Sequence, residues 1–218
     1  MIVTIDGPAG SGKSTAARGL ARRLQFDFLD TGAMYRAVAW RCLQTGLDLH
    51  DESAVATCAA AMQLRLDEHN VIVDGQDVTS AIRRPEVSHG SSIVASNPAV
   101  RRELAARQRE YAEGRNVVTE GRDQGTAVFP NAECKFYLTA NAEERAKRRQ
   151  RELREHDQHV ELDDIRQHIH ERDERDKCRI IDPLKAAADA VRVDTSSSSP
   201  EEVLDRLEQI ARERMRKP

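Results

Sequence analysis

The segment Gly7-Pro8-Ala9-Gly10-Ser11-Gly12-Lys13-Ser14-Thr15 follows directly on the apolar run Ile2-Val3-Thr4-Ile5 and precedes Ala16, Ala17, Leu20, Ala21 and Leu24, which recur at helical spacing. Few folds accommodate a β-branched strand, a glycine-rich loop and a helix in that order. Glycines let the backbone curl close to a phosphate, so that successive N–H groups converge on its oxygens. Lys13 then adds a point charge for the outer phosphates, and the Ser14 hydroxyl is placed to ligate Mg²⁺. The helix that follows presents its positive N-terminal end to the same anion. The alternative, a glycine-rich turn with an accidental lysine, does not account for both flanking patterns. We therefore read Gly7 to Thr15 as the cradle of a nucleoside triphosphate.

Downstream, Phe26 to Leu29 has the composition of a second strand, ending at Asp30-Thr31-Gly32, and Ala33 to Leu43 suits a helix stopping near Gly46. From about residue 48 to 97 the character changes to an alanine-rich helical piece followed by Gln63 to Leu66 and Val71 to Val73 around a polar turn. Because this interrupts an alternation of strand and helix, the segment is expected to be an inserted subdomain with a small antiparallel sheet. Pro98 opens a helix to about Glu113, and Asn116 to Thr119 resumes the core as a strand. Another strand, Cys134 to Leu138, precedes a highly charged helical region from Glu143 to Arg179. After a last strand, Ala190 to Val193, the run Ser199-Pro200-Glu201-Glu202 combines an N-cap, a first-turn proline and a glutamate at the third position, which starts the final helix. Strands separated by helical crossovers predict an α/β fold of the P-loop NTPase type, a mostly parallel sheet with helices on both faces.

Charged residues make up 33% of the 218, yet the formal net charge is only −3, so no basic excess points to nucleic-acid binding. Cys42, Cys58, Cys134 and Cys178 are scattered without C-x-x-C spacing, as expected of reduced thiols. Neither a signal peptide nor a membrane span is expected, and the reading is a cytoplasmic monomer. His156, His159, His168 and His170 lie in the charged region without a cysteine partner, and are read as solvated helix residues rather than metal ligands.

A phosphate loop identifies one substrate and leaves the acceptor open, since GTPases, motors, regulators and small-molecule kinases share it. The guanine-reading N-K-x-D pattern is missing, and an insert favours a kinase that closes over two substrates. Four motifs narrow this further: Gly7 to Thr15; Asp30-Thr31-Gly32-Ala33-Met34-Tyr35-Arg36; Glu120-Gly121-Arg122-Asp123-Gln124-Gly125-Thr126 with Val128-Phe129-Pro130; and Arg172-Asp173-Glu174-Arg175-Asp176 with Arg179 and Pro183-Leu184. In this order, over nearly the whole chain, they resemble the bacterial cytidylate kinases. The resemblance implies transfer of the γ-phosphate of ATP to CMP or dCMP with Mg²⁺ held at Ser14. It also implies that residues 48–97 bind the monophosphate and that about 150–171 form a lid. Rivals are a P-loop kinase for AMP, UMP or shikimate, and a P-loop ATPase or regulator that moves a partner.

The same resemblance implies roles for individual residues. Thr31 and Arg36 fall near the CMP phosphate, where a guanidinium suits the bidentate geometry. Ser92, Arg101 and Asp123 fall at the cytosine edge, with Arg122 also among the CMP-binding residues; uracil reverses donor and acceptor there, so a cytosine pocket would leave polar groups mismatched, whereas taken alone Asp123 is a turn carboxylate paired with Arg122 and Ser92 a helix-surface hydroxyl. Arg172, Asp176 and Arg179 are spaced four and three apart, one face of a continuous helix, which taken alone is an ion-paired solvated stripe. The resemblance instead puts Asp176 on the ribose hydroxyl and the arginines on ribose and phosphate. Arg145, Arg148 and Arg149 sit about one turn apart, and two readings stand: solvated helix charges, or cations for the transferring phosphoryl group, with Lys13, Arg145, Arg149 and Arg179 as the catalytic set. Two positions depart from the family pattern. Glu120 stands where aspartate is usual before Gly-Arg-Asp, and Asp182 adds a negative charge before Pro-Leu.

Overall fold

Strand β1 (Ile2–Asp6) leads through the glycine-rich loop into helix α1 (Lys13–Leu24) and strand β2 (Asp27–Asp30). The computed structural model describes residues 1–67, 70–155 and 159–216, and the chain forms two compact units, Met1–Phe28 with Asn116–Pro218, and Leu29–Arg115. The second unit holds α2 (Thr31–Gln44), α3 (Glu52–Ala61), the short strands β3 (Leu64–Leu66), β4 (Val71–Val73) and β5 (Gln76–Asp77), then α4 (Pro85–Val94) and α5 (Pro98–Ala112). On returning to the first unit the chain adds β6 (Val117–Gly121), β7 (Cys134–Thr139), α6 (Ala142–Arg154), α7 (Leu162–Cys178), β8 (Val191–Asp194) and α8 (Pro200–Met215).

The main sheet has the order β2-β6-β1-β7-β8, and β1 runs parallel to both β6 and β7, as β7 does to β8. The parallel α/β architecture expected from the alternating pattern is therefore present. Side chains alternate across a strand, so the register decides what each face becomes. Val3 and Ile5 align with Val118, Cys134 and Phe136 and join Leu138, Leu20 of α1 and Leu207 of α8 in one apolar core. Each such leucine, fully buried, contributes about 1.5–3 kcal/mol. On the opposite face Thr4 and Asp6 align with Thr119, Gly121, Lys135 and Tyr137. That polar face is covered by a π-helical turn, Gln124–Val128, whose Gln124 Oε1 accepts from the Thr119 hydroxyl at 3.0 Å.

Local signals place several element ends. Ser199 Oγ accepts the Glu202 N–H at 3.2 Å while Glu202 Oε2 accepts the Ser199 N–H at 2.8 Å, so the expected capping box starts α8. The helix expected from Ala33 begins at Thr31 instead, because the Asp30 side chain caps it by accepting the Ala33 N–H at 2.8 Å. Helix α4, for which the residue pattern of 48–97 predicts no bounds, contains Ser92. Its first turn carries Pro85 rather than a capping side-chain bond, and it buries Val87, Gly90, Ser91 and Val94.

Among the described residues, the charged helical stretch from Glu143 to Arg179 contains two helices, α6 and α7. Ala146 of α6 packs against Ile165 and Ile169 of α7, so the scarce apolar residues of each helix are buried against the other. Arg179 lies just beyond α7 with extended backbone, φ −56° and ψ 134°, so it does not continue the helical stripe of Arg172 and Asp176. Residues 156–158, within the expected lid and including His156, and residues 68–69, in the expected polar turn, lie outside the described residues. The expected insert, about 48–97, falls inside the second unit.

Gly7, where β1 turns into the loop, lies so close to β7 that a Cβ there would overlap the Leu138 carbonyl oxygen. Backbone cannot step aside as a flexible side chain can. Gly7→Ala is expected to cost about 3 kcal/mol, the upper range for overpacking. Urea unfolding would read this as a lower midpoint at unchanged slope.

Candidate active site

The loop after β1 is held on several sides by groups from its own unit. Lys13, the first residue of α1, folds back so that Nζ donates to the Pro8 carbonyl at 2.6 Å and to Ser11 Oγ at 3.5 Å. Burial pushes the Lys13 ammonium down to about 7, and the nearby Arg122 and Arg172 charges add to that against Glu120 and Asp173. A buried lysine among arginines is a group whose charge an incoming polyphosphate would restore. Gly10 and Gly12 adopt φ +73° and +83°, the left-handed backbone that lets the loop curl and that glycine adopts without strain.

Ser14 donates to Glu120 Oε1 at 2.8 Å. The register explains the contact: Glu120 pairs with Ile5 and therefore projects to the α1 face of the sheet, although it is only 6% exposed. A buried carboxylate beside a hydroxyl at the head of a phosphate loop is an oxygen donor set that fits Mg²⁺. The longer side chain of Glu120, noted as a departure from the family pattern, is the one that reaches Ser14.

On the polar face, Asp6 accepts the N–H groups of Gln124 at 2.9 Å and Gly125 at 2.8 Å. These bonds anchor the turn that follows Asp123. The Asp123 carbonyl accepts the Ala127 N–H at 2.8 Å, and the residue is 5% exposed. Burial pushes the Asp6 carboxyl up to about 6, against the two backbone donors, with the Asp123 charge raising it further.

Arg122 donates from Nε to Asp176 Oδ2 at 2.8 Å and from Nη1 to the Gly121 carbonyl at 3.3 Å. Burial raises the Asp176 carboxyl, but Arg122, Arg172 and Arg179 outweigh it and hold the group below the usual carboxylate range. Asp176 is thus ionised, with Arg122, just beyond the end of β6, as its hydrogen-bonding partner. Arg179 Nη2 donates to the Asp182 carbonyl at 2.9 Å, and Asp182 adopts φ +50°.

Of the α6 arginines, Arg145 and Arg148 are tied to the loop region and Arg149 is not. Arg145 Nη1 donates to the Ala9 carbonyl at 3.0 Å, while Arg148 Nη1 donates to Thr195 Oγ1 at 2.9 Å. Thr195 Oγ1 in turn donates to the Ser11 carbonyl at 3.2 Å. Arg149 pairs with Glu152 at 3.1 Å, and its side chain is 42% exposed. Spacing alone made the three look alike; which ones meet the loop depends on how α6 packs.

Within the second unit, Thr31 is the first residue of α2 and is buried. Arg36 lies over that helix start, with Nη2 donating to Asp30 Oδ2 at 3.2 Å; its Nε is buried with no hydrogen-bond partner among the described residues. Ser92 is a partly buried residue of α4, and the buried Arg101 of α5 donates to the Ala95 carbonyl, the C-cap of α4, at 3.4 Å. The residues that sequence reasoning left without a role are Asp6, Asp173 and Thr195. Asp173 carried a signal in its place within the Arg172 to Asp176 motif, whereas nothing local marks Thr195.

A family model described as cytidylate kinase matches residues 3–213. A cytidylate kinase of Rhodopirellula baltica is 46% identical over 213 residues, covering 98% of this chain and 93% of that protein. Another, from Geobacillus kaustophilus, is 46% identical over 217 residues, covering 98% and 97%. Among solved structures, a shikimate kinase from Bacteroides thetaiotaomicron is similar in fold alone, at TM-score 0.51 and 14% identity, covering 97% of this chain and 98% of that one.

The raised Asp6 carboxyl has a pH consequence. Below about pH 4 Asp6 is protonated whether the chain is folded or not, and the folded state carries no charge penalty. As pH rises from 4 through about 6, the unfolded chain ionises first and stability is lost, on the order of 3 kcal/mol at 1.36 kcal/mol per unit. Unfolding free energy measured between pH 4 and 7 is therefore expected to fall more steeply with pH in the parent protein than in Asp6→Asn.

Proposed function

The chain belongs to the cytidylate kinase family, and we propose how its residues divide the work of that activity. It is a nucleoside monophosphate kinase that transfers the γ-phosphoryl group of ATP to CMP or dCMP, giving ADP and CDP or dCDP. The observation that carries this conclusion is the family match over residues 3–213, which takes in the phosphate loop after β1 and all three other motifs. The same reading makes the protein a cytoplasmic monomer.

On the donor side, N–H groups of the loop between Gly7 and Thr15 cradle the triphosphate, apart from that of Ala9, which Asp173 holds, and Lys13 supplies the charge on the outer phosphates. Ser14 and Glu120, in contact at 2.8 Å, would hold Mg²⁺ through oxygen donors. Mg²⁺ held there would neutralise charge on the phosphoryl oxygens. Arg145 is the α6 arginine that serves the equatorial oxygens of the transferring group, a role supported by its bond to the Ala9 carbonyl. Arg149, whose partner is Glu152, has no such support.

On the acceptor side, Thr31 and Arg36 of the second unit bind the CMP phosphate, aided by the N-terminal end of α2. Ser92 and Arg101 of that unit, and Asp123 of the first, read the cytosine edge. Arg122, Arg172 and Arg179 hold phosphate and ribose, and Asp176, ionised, accepts from a ribose hydroxyl. No general base is required, because the CMP phosphate oxygen is already an anionic nucleophile. The task left to the protein is alignment, cationic surroundings and exclusion of water.

An acceptor panel tests the activity. ADP formation from ATP is expected with CMP and dCMP, and at most slowly with AMP, UMP or shikimate; comparable turnover with no acceptor would identify an ATPase instead. The base-reading role predicts that Asp123→Asn erodes the preference for CMP over UMP by about 10-fold or more in kcat/KM, the loss of one charged hydrogen-bond partner. An unchanged ratio removes Asp123 from base recognition.

A further inference from the structure

Asp173 lies on α7 beside the phosphate-handling residues, and the family activity assigns it no role. It is 4% exposed, and both of its carboxylate oxygens are engaged. Oδ1 accepts the backbone N–H of Ala9 at 3.1 Å, and Oδ2 accepts from Arg145 Nη1. The same Arg145 nitrogen donates to the carbonyl of Ala9 at 3.0 Å. Three hydrogen bonds thus close a ring through a single residue of the phosphate loop, using both of its backbone polar groups.

We infer that Asp173 is a positioning residue for phosphoryl transfer, one that fixes the Arg145 guanidinium against the donor loop. The inference rests on the reading that Arg145 serves the transferring group. Three features favour it over a plain helix-to-loop latch. Both contacts to Arg145 fall on Nη1, while its Nε is buried without a hydrogen-bond partner among the described residues. A buried donor left unsatisfied in a native structure requires an explanation, and a phosphate of the proposed donor nucleotide would supply one. The α6 backbone also stands directly on the loop: a Cβ at Gly10 would meet Arg145 Cβ and its carbonyl oxygen at 3.0 Å. Finally, Arg148 through Thr195 fixes the loop at Ser11, so α6 is bound to it at a second point and the guanidinium has little room to wander. Arginine held by a carboxylate is pre-aimed, and the electrostatic stabilisation it offers costs no reorganisation at the moment of transfer.

A double-mutant cycle of Asp173→Asn and Arg145→Ala in the full chain tests this, with kcat, KM for ATP and CMP, and thermal unfolding measured for each protein. Asp173→Asn is expected to lower kcat about 10- to 100-fold while KM for CMP moves less than about 3-fold, the pattern of a lost transition-state interaction. Arg145→Ala should lose at least as much, and the double variant should be no worse than Arg145→Ala within about 3-fold, because the two act as one unit. If Arg145→Ala loses kcat and Asp173→Asn does not, or if the two losses multiply, positioning is overturned while the role of Arg145 survives. If Arg145→Ala keeps full kcat, the role of Arg145 fails and the inference falls with it. Should Asp173→Asn not fold, Asp173→Glu keeps the charge and displaces it by one methylene. A fall in kcat at unchanged KM for CMP then supports the inference, and an unchanged kcat overturns it.

Discussion

The alternation of side chains along β1, held between two parallel neighbours, is the constraint on which the site depends. Val3 and Ile5 enter the apolar core under α1 and α8, which leaves Thr4 and Asp6 no choice but the opposite face. Because the strand cannot slip by one residue without exposing that core, its last residue and the loop after it are fixed in position. The phosphate loop leaves at Gly7 against the Leu138 carbonyl, and Asp6 immediately before it gathers the turn that follows Asp123. One strand end therefore sets both the donor loop and a residue proposed to read the acceptor base.

A loop that must offer its backbone to a polyanion cannot be stabilised by burying that backbone. The protein braces it with side chains instead. Lys13 takes the Pro8 carbonyl, Asp173 and Arg145 take the two polar groups of Ala9, and Thr195 takes the Ser11 carbonyl. Each brace comes from an element whose own position is set by packing, or, for Thr195, from the residue that follows one: α1 and β8 through the main core, and α6 and α7 through Ala146, Ile165 and Ile169. Rigid support of this kind is what makes precise alignment of two phosphates possible.

The electrostatics follow the same plan. Lys13, Arg122 and Arg172 lie close enough for the two guanidinium charges to depress the lysine, while Glu120, Asp173 and Asp176 are interleaved among them. Positive groups packed at such density repel one another in a poorly hydrated site, and carboxylates keep the folded state tolerable. A kinase needs that density of cations in order to bring two negatively charged substrates into contact. The opposing carboxylates hold the cations in order, Asp176 by hydrogen-bonding Arg122 and Asp173 by hydrogen-bonding Arg145.

The amino-acid sequence by itself determined the strand, glycine-rich loop and helix on which the donor half is proposed. Strand, loop and helix are local features, a matter of β-branched residues, glycines and apolar spacing over about 25 positions, and such signals survive in one dimension. The parallel sheet followed from the alternation of elements, and the start of α8 from its capping box, again local chemistry. Tertiary structure alone decided that Arg145 and Arg148 rather than Arg149 meet the loop, that Arg122 pairs with Asp176, that Glu120 reaches Ser14, and that Arg179 leaves the helical line of its motif. Partners such as Ala9 and Asp173 are 164 positions apart. Whether residues so distant meet depends on sheet register and helix packing, which sum over the whole chain and leave no mark at either residue.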